Sequence, residues 1–191
     1  MKQRATDARH SLTIAGLFTL LVLILSGSSA FAQLAAGTYT VGSAGTYTTL
    51  AAAVTAANSA GIAGAVVFDV AAGHTETVPS GGIQLGSAAL NATLSATNTL
   101  TIQKSGSGAN PLLTATCRTG TPGTAVQDGI FRLYGADYVT IDGIDVTDNA
   151  ANTTNPSTME YGYAMYKLSA TDGCQHNTIK NCTITLNRIN N

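Results

Sequence analysis

Residues 138–147 read Tyr-Val-Thr-Ile-Asp-Gly-Ile-Asp-Val-Thr, and their apolar positions alternate on both sides of an interruption at Asp142-Gly143. Alternation of apolar and polar residues is typical of a β-strand that buries one face. The interruption predicts a bend, after which the same face is buried again. The segment therefore predicts two short strands joined by a tight bend.

This pattern recurs 38 residues later, in residues 176–185. Four positions of the two segments correspond: Thr140 with Thr178, Ile141 with Ile179, Ile144 with Cys182, and Val146 with Ile184. Repeated pairs of short strands are typical of a solenoid, in which each turn of chain stacks on the turn before it.

An upstream echo aligns Phe131-Arg132-Leu133 with Tyr166-Lys167-Leu168, with three more residues between the echo and the second copy of the repeat. It predicts that Tyr166 points into the core at the position of Phe131. It also predicts that Arg132 and Lys167 form an outward basic ladder on adjacent turns of the solenoid.

Residues 46–60 carry a helical pattern, with Thr46 or Thr48 as the expected N-cap. Its narrow apolar face consists of Leu50, Ala53, Val54 and Ala57. We expect this helix to cover the open end of the solenoid, where core and strand edges would otherwise be exposed.

Short strands are predicted at 38–41, 65–70, 75–78, 83–85, 99–103 and 111–116, the first of them at a sheet edge. Residues 88–96 are predicted as a loop, and residues 148–160 as a polar insertion that projects from one face.

The N-terminus has the layout of a secretory signal peptide. Lys2, Arg4 and Arg9 precede an apolar run over residues 12–25, and an Ala-x-Ala pattern ends at Ala32. The run is shorter than the roughly 20 residues that span a bilayer, which disfavours a membrane anchor. We expect cleavage after Ala32, a secreted or cell-surface protein, and no membrane span in the mature chain.

The mature chain would have 159 residues, with six Lys and Arg against nine Asp and Glu, and hence a net charge of −3. This size fits one domain, which we divide into an entry strand and capping helix (33–64) and solenoid turns (65–191). A charge-poor, weakly acidic chain lacks the basic footprint of a nucleic-acid partner. Because another turn is expected after Asn191, we interpret the chain as the N-terminal portion of a longer protein.

Three cysteines remain in an exported chain: Cys117, Cys174 and Cys182. An odd number leaves at least one thiol unpaired. A bridge between Cys174 and Cys182 is one alternative. The other is that Cys182 is a small buried hydrophobic residue, since it occupies the position of Ile144.

Three further segments carry a resemblance to a known family. Residues 45–54 read Gly-Thr-Tyr-Thr-Thr-Leu-Ala-Ala-Ala-Val, residues 64–73 read Gly-Ala-Val-Val-Phe-Asp-Val-Ala-Ala-Gly, and residues 97–102 read Thr-Asn-Thr-Leu-Thr-Ile. In this order they resemble the start of right-handed parallel β-helix proteins of the pectin-lyase-like group. More narrowly, the chain is similar to large secreted surface proteins of Gram-negative bacteria, in which such a domain precedes adhesive modules and a sorting domain. The resemblance covers residues 37–187 and implies an all-β solenoid with an N-terminal capping helix. It does not imply one activity, because the fold hosts lyases, hydrolases, esterases and adhesins.

Asp142, Asp145 and Asp148 form the densest acidic cluster. Paired carboxylates could act as acid and base on a glycoside, and oxygen ligands suit calcium. The second copy of the repeat, however, replaces Asp142 with Lys180 and Asp145 with Thr183. Solvated surface is therefore the favoured interpretation, with Asp142 and Asp145 kept as glycan-contact candidates and all three aspartates as calcium candidates.

Tyrosines cluster around the repeats, and Tyr134, Tyr138 and Tyr161 are the candidates for stacking on sugar rings. A lyase would need a strong base, for which the candidates are Arg118, Arg132, Lys167, Lys180 and Arg188. Six basic residues make a poor groove for a polyuronate. His74 and His176 have no Ser or Cys partner in a recognisable motif.

These observations predict a secreted or cell-surface β-helix scaffold. We expect it to be non-catalytic, of the adhesin or glycan-binding type, with a polysaccharide or cell-surface glycan as partner and no obligatory cofactor. The alternative is a polysaccharide lyase or glycoside hydrolase whose catalytic turns lie beyond residue 191.

Overall fold

The computed structural model describes residues 32–116, 129–153 and 158–187. Their secondary structure is mainly β. The strands are β1 (Gly37–Val41), β2 (Val66–Ala71), β3 (Thr75–Thr77), β4 (Ile83–Leu85), β5 (Leu100–Ser105), β6 (Leu112–Thr114), β7 (Phe131–Tyr134), β8 (Val139–Asp142), β9 (Asp145–Thr147), β10 (Tyr163–Tyr166), β11 (Thr178–Lys180) and β12 (Ile184–Thr185). The helices are α1 (Leu50–Ala60) and α2 (Ala88–Asn91).

All of these strand pairings are parallel, and they form three sheets. The first sheet has the order β1-β2-β5-β8-β11, the second β3-β6-β9-β12, and the third β4-β7-β10. From β2 onward the chain visits the first, second and third sheets in turn and then begins again. We call each passage of the chain through the sheets a layer, and the layers are β2–β4, β5–β7, β8–β10 and β11–β12. A mainly β chain with parallel sheets is therefore confirmed, and β1 lies at a sheet edge as predicted.

The registers agree with the 38-residue repeat. Ile141 pairs with Ile179, and Val146 pairs with Ile184. Inward residues of successive layers stack into columns, such as Phe68, Ile102 and Ile141 in the first sheet, which are all buried. Each fully buried aliphatic or aromatic side chain contributes about 1.5–3 kcal/mol to the stability of the fold.

The bends between strands use left-handed backbone conformations. Gly143 follows β8 with a φ of 70°, and its counterpart in the next layer, Asn181, has a φ of 56°. Asparagine adopts this region more readily than most residues that carry a Cβ atom. The interruption at Asp142-Gly143 is therefore a bend, as the sequence predicts.

Helix α1 packs against β2, β4 and α2. Leu50, Ala53, Val54 and Ala57 are its buried residues, as predicted. The helix begins later than expected, at Leu50, and its N-cap is Thr49 instead of Thr46 or Thr48. The reason is that the backbone of Tyr47 exchanges hydrogen bonds with Thr40 and Gly42, which holds the preceding residues in a turn.

Two predictions for local structure are wrong. Part of the predicted loop at 88–96 is helix α2, because the Ser87 side chain accepts a hydrogen bond from the Leu90 N–H and caps it. The upstream echo is also misaligned, since Phe131 pairs with Tyr163 and Tyr134 pairs with Tyr166. Nine residues separate β10 from His176, against three between β7 and Tyr138, so the second loop is longer by six residues and not by the three that the echo implies.

The misalignment removes two expectations that depended on it. Tyr166 does not take the inward position of Phe131, which belongs to Tyr163. Arg132 pairs with Ala164, so Arg132 and Lys167 do not form a ladder.

The last strands of the second and third sheets, β12 and β10, leave inward residues exposed. Met165 and Ile184 occupy the inward columns of Leu133 and Val146, yet they are 49% and 52% exposed.

Within the described residues, no helix is long and apolar enough to cross a membrane. The predicted signal peptide (1–32) lies outside the described residues, apart from Ala32 itself.

Candidate functional site

The outer face of the third sheet carries an aromatic and basic cluster formed by Arg132, Tyr134 and Tyr166, which we call the outer cluster. Tyr134 and Tyr166 are paired residues of β7 and β10, and their ring centroids are 5.1 Å apart at an interplanar angle of 37°. The Arg132 guanidinium carbon lies 5.5 Å from the centroid of the Tyr134 ring, and its Nη1 donates to the Tyr134 hydroxyl at 3.3 Å. Such cation–π and stacking contacts fix the side chains in place before any ligand arrives.

Tyr138 belongs to a separate aromatic pair at the bend before β8. Its ring stacks on His176, with centroids 4.6 Å apart and an interplanar angle of 15°. Both residues have a φ of 56°, which is uncommon for residues other than glycine. One face of the Tyr138 ring is therefore occupied by its neighbour in the next layer.

Tyr161 lies two residues before β10, at the opposite end of that strand from Tyr166. Its side chain is 50% exposed, and its backbone carbonyl accepts a hydrogen bond from Ile130 N–H at 3.0 Å. The three tyrosines predicted to contact glycans thus do not share one surface. Tyr166, which the sequence analysis placed in the core, is the residue that the fold adds to Tyr134.

The predicted acidic cluster is divided among three structural roles. Asp142, at the end of β8, forms an ion pair with Lys180 at 3.2 Å and accepts from the Asn181 amide at 2.7 Å. The hydrogen bond from Asn181, followed by Lys180, holds the pKa of Asp142 below its ordinary value. A general acid of a glycosidase requires the opposite shift.

Asp145 and Asp148 also bind protein donors. One oxygen of Asp145 accepts from Asn110 Nδ2 and from the Thr183 N–H, both at 2.8 Å. Asp148 is buried and accepts from the backbone N–H groups of Asn149 and Met159 and from the Asn152 amide. Among the residues that the structure describes, no group of three or more His, Cys, Asp or Glu side chains is placed to hold a metal ion.

The contacts of Asp148 also change the interpretation of the insertion at 148–160. Its described parts fold onto the body of the protein, because Asn152, Thr158 and Met159 are buried. The described parts of this insertion therefore pack against the rest of the protein, in contrast to the predicted polar projection. Residues 154–157 lie outside the described residues.

The remaining chemical candidates are dispersed. Cys174 and Cys182 are free thiols in the structure, so the alternative of a bridge between them is not found. Cys182 is half-buried against the core, and burial raises the pKa of the Cys174 thiol. Lys180 is paired with Asp142. Cys117, Arg118 and Arg188 lie outside the described residues.

Glu76 is a buried charged residue that the sequence pattern does not single out. Glu76 lies in the inward column of the second sheet, where it pairs with Leu113, and it is only 8% exposed. Its two carboxylate oxygens accept from the Leu50 and Ala51 N–H groups at 2.6 and 3.0 Å, at the N-terminus of α1. A charged residue flanked by threonines in a three-residue strand was the available signal, but its helical partner is 26 residues away in the chain.

Tyr163 packs against Phe131 with ring centroids 5.9 Å apart. Its hydroxyl donates to the Ile144 carbonyl at 2.6 Å. Burial raises the pKa of Tyr163 well above its ordinary value. This tyrosine is a core residue with one satisfied polar atom.

Comparisons with protein-family models, with curated protein sequences and with solved structures find no match for this chain. The parallel sheets are compatible with a β-helix-like fold, and the pectin-lyase-like group stays an expectation from the sequence.

Proposed function

We propose that this chain is the right-handed parallel β-helix scaffold of a secreted or cell-surface protein, that it is non-catalytic, and that it contacts glycans through the outer cluster. The cyclic order of the three parallel sheets supports the β-helix, and connections between parallel strands are nearly always right-handed. The contacts of α1 with β2 and β4, together with Glu76 on β3, support its role as the N-terminal cap.

The observation that carries the non-catalytic interpretation is that Asp142, Asp145 and Asp148 all accept hydrogen bonds from other groups of the protein. Asp142 and Asp145 bind side chains and backbone of the neighbouring layers, and Asp148 anchors the insertion that follows β9. A retaining or inverting glycosidase needs two carboxyl groups that face one sugar and have separated pKa values. In this protein Asp142 and Asp145 stabilise the stacking of layers, and Asp148 stabilises the insertion.

The outer cluster supports the glycan contact. Tyr134, Tyr166 and Arg132 offer hydroxyl and guanidinium groups beside apolar ring surface, a combination that suits sugars. Because each tyrosine turns one face toward the other, we expect a glycan to contact the hydroxyl-bearing edges of the two rings and the Arg132 guanidinium.

Export is tested by expressing the full chain in a bacterial host and sequencing the N-terminus of the protein found outside the cytoplasm. We expect it to begin at Gln33. Retention of residues 1–32 in a membrane fraction would contradict cleavage after Ala32.

The glycan contact is tested by isothermal titration calorimetry against a panel of polysaccharides, with reducing ends and unsaturated uronates assayed in parallel. We expect binding without turnover, and a loss of about tenfold in affinity for Tyr166→Ala, which removes a hydroxyl group and a ring edge from the contact surface. Tyr161→Ala is the matched comparison, because Tyr161 is an exposed tyrosine at the other end of the same strand.

Two results would count against the proposal in different ways. If Tyr161→Ala abolishes binding and Tyr166→Ala does not, the outer cluster is not the contact surface. Turnover of any polysaccharide would favour the rival interpretation of a lyase or hydrolase.

A further inference from the structure

Two cavities adjoin each other at the turn of residues 42–45, between β1 and α1. The larger has a volume of about 650 Å³ and includes Thr48 and His74 in its walls. The smaller has a volume of about 260 Å³ and includes Asp69 and Ser105. Gly42, Ser43 and Ala71 line both, so we treat the two cavities as halves of one cleft and call the turn of residues 42–45 the ridge.

The ridge is held in place by its own backbone. Gly45 N–H donates to the Gly42 carbonyl and Gly42 N–H donates to the Tyr47 carbonyl, both at 2.9 Å. A Cβ atom at Gly45 would lie 2.6 Å from the Thr40 carbonyl oxygen, so only glycine fits there. A cleft with such a wall is formed before a ligand binds, which lowers the entropic cost of binding.

The imidazole of His74 is also fixed. Its Nε2 lies 3.4 Å from a carboxylate oxygen of Glu76, and that carboxylate is held in turn by the first N–H groups of α1. The other ring nitrogen, Nδ1, forms no hydrogen bond within the described residues. An imidazole oriented through one nitrogen by a carboxylate offers the other nitrogen to a ligand in a set direction.

The polar groups of the cleft are neutral or acidic. In the smaller half, Asp69 uses one oxygen to accept from Gln103 Nε2 at 3.0 Å. Hydroxyl groups of Ser43, Thr48 and Ser105 line the remaining walls, and no Lys or Arg is among the described lining residues. Glu76 already occupies the positive end of the helix, so an anionic ligand would meet repulsion instead of a compensating charge.

We propose that this cleft binds a neutral oligosaccharide, which crosses the ridge at Ser43 with hydroxyl groups directed at His74 on one side and Asp69 on the other. The walls of Gly and Ala allow close approach of a pyranose ring, while carboxylate, imidazole and hydroxyl groups pair with sugar hydroxyls. A combined volume in the range of small-molecule sites suits two or three sugar units. This site goes beyond the proposed function, since it holds whether or not the outer cluster binds glycan.

The experiment is isothermal titration calorimetry on the full chain with four probes: tetrasaccharides of glucose, mannose and N-acetylglucosamine, and tri-galacturonate. We expect at least one neutral tetrasaccharide to bind and tri-galacturonate to bind at least tenfold more weakly. Ser43→Trp should abolish binding, because the indole would fill the cleft beside the ridge. Ser59→Trp should not affect binding, since Ser59 is exposed on α1 outside the cleft. His74→Ala should lower affinity about tenfold, as expected for a lost hydrogen bond that orients the ligand.

Thermal unfolding by circular dichroism establishes that each variant is folded, and Ser43→Trp keeps the test valid if His74→Ala disturbs Glu76. The proposal is overturned if no neutral tetrasaccharide binds, if Ser43→Trp binds like the wild type, or if tri-galacturonate is preferred. Binding that is lost in Tyr166→Ala but retained in Ser43→Trp would assign the glycan to the outer cluster. That result would overturn the proposal for the cleft and leave the proposed function standing.

Discussion

The carboxylate of Glu76 joins the second sheet to helix α1, and the substitution Glu76→Gln tests how much this contact stabilises the protein. The residue lies in the inward column otherwise filled by Leu113 and Val146, yet it is satisfied by the Leu50 and Ala51 N–H groups. Two of the four N–H groups that every helix leaves unpaired at its N-terminus are thereby bound.

Glutamine preserves the size and shape of the side chain but offers one acceptor oxygen where glutamate offers two. One helical N–H would then face an amide NH₂ group, and an unsatisfied buried donor costs about 1–3 kcal/mol. Loss of the negative charge at the helix N-terminus adds about 0.3–1 kcal/mol. We therefore expect Glu76→Gln to lower the free energy of unfolding by about 1–4 kcal/mol.

Urea unfolding followed by far-ultraviolet circular dichroism measures this difference. Asp69→Asn is the control, because Asp69 is a carboxylate on the neighbouring strand β2 whose partner, Gln103, lies on the outer face. A pair of that kind contributes about 0–1 kcal/mol. If Glu76→Gln unfolds within about 0.5 kcal/mol of the wild type, the typical range of surface substitutions, the carboxylate does not stabilise the helix as argued.

Three further predictions concern single side chains, and the same urea titration measures each of them. Gly143→Ala should cost about 1–2 kcal/mol because Gly143 has a φ of 70°, whereas Gly143→Asn should cost less, since Asn181 adopts the same conformation in the next layer; equal losses would contradict this explanation of the bend. Tyr163→Phe should cost about 1–2 kcal/mol by leaving the Ile144 carbonyl unsatisfied, and a variant as stable as the wild type would indicate that water replaces the hydroxyl. The pKa of Asp142 is lowered from 3.8, with the hydrogen bond from the Asn181 amide as the largest cause. The ionised carboxylate therefore stabilises the fold fully above pH 3.8, and this stabilisation is lost as the pH falls through the lowered pKa of the folded state. Asp142→Asn should therefore flatten the fall in stability between about pH 5 and pH 2, and an unchanged acid profile would be evidence against the contribution of this pair.

Local pattern was sufficient for most of the elements and for part of their pairing. Alternation predicted the strands around Ile141 and Val146, and the 38-residue repeat predicted their partners Ile179 and Ile184. The spacing of Leu50, Ala53, Val54 and Ala57 predicted the buried face of α1. These features are readable because each depends on residues a few positions apart or on a repeat of constant length.

The tertiary structure decided whatever depends on loops of unequal length. Phe131 pairs with Tyr163 instead of Tyr166, because the loop after β10 is longer than the one after β7. This difference moves Tyr166 beside Tyr134 and so creates the outer cluster. A pattern within one strand indicates which residues alternate, but it does not measure the length of chain that returns to the next layer.

The candidate cleft and the partner of Glu76 also depended on the fold. The cleft brings Ser43, Asp69 and His74 together from separate segments, and Glu76 reaches a helix that ends before its own strand begins. In sequence, Asp142, Asp145 and Asp148 formed the conspicuous acidic cluster, yet in the structure each accepts hydrogen bonds from a different set of donors. The sequence thus determined most of the strands and their buried faces, because alternation is a local property. Only the tertiary structure determined which polar side chains meet, because contacts between layers join residues about 25–40 positions apart.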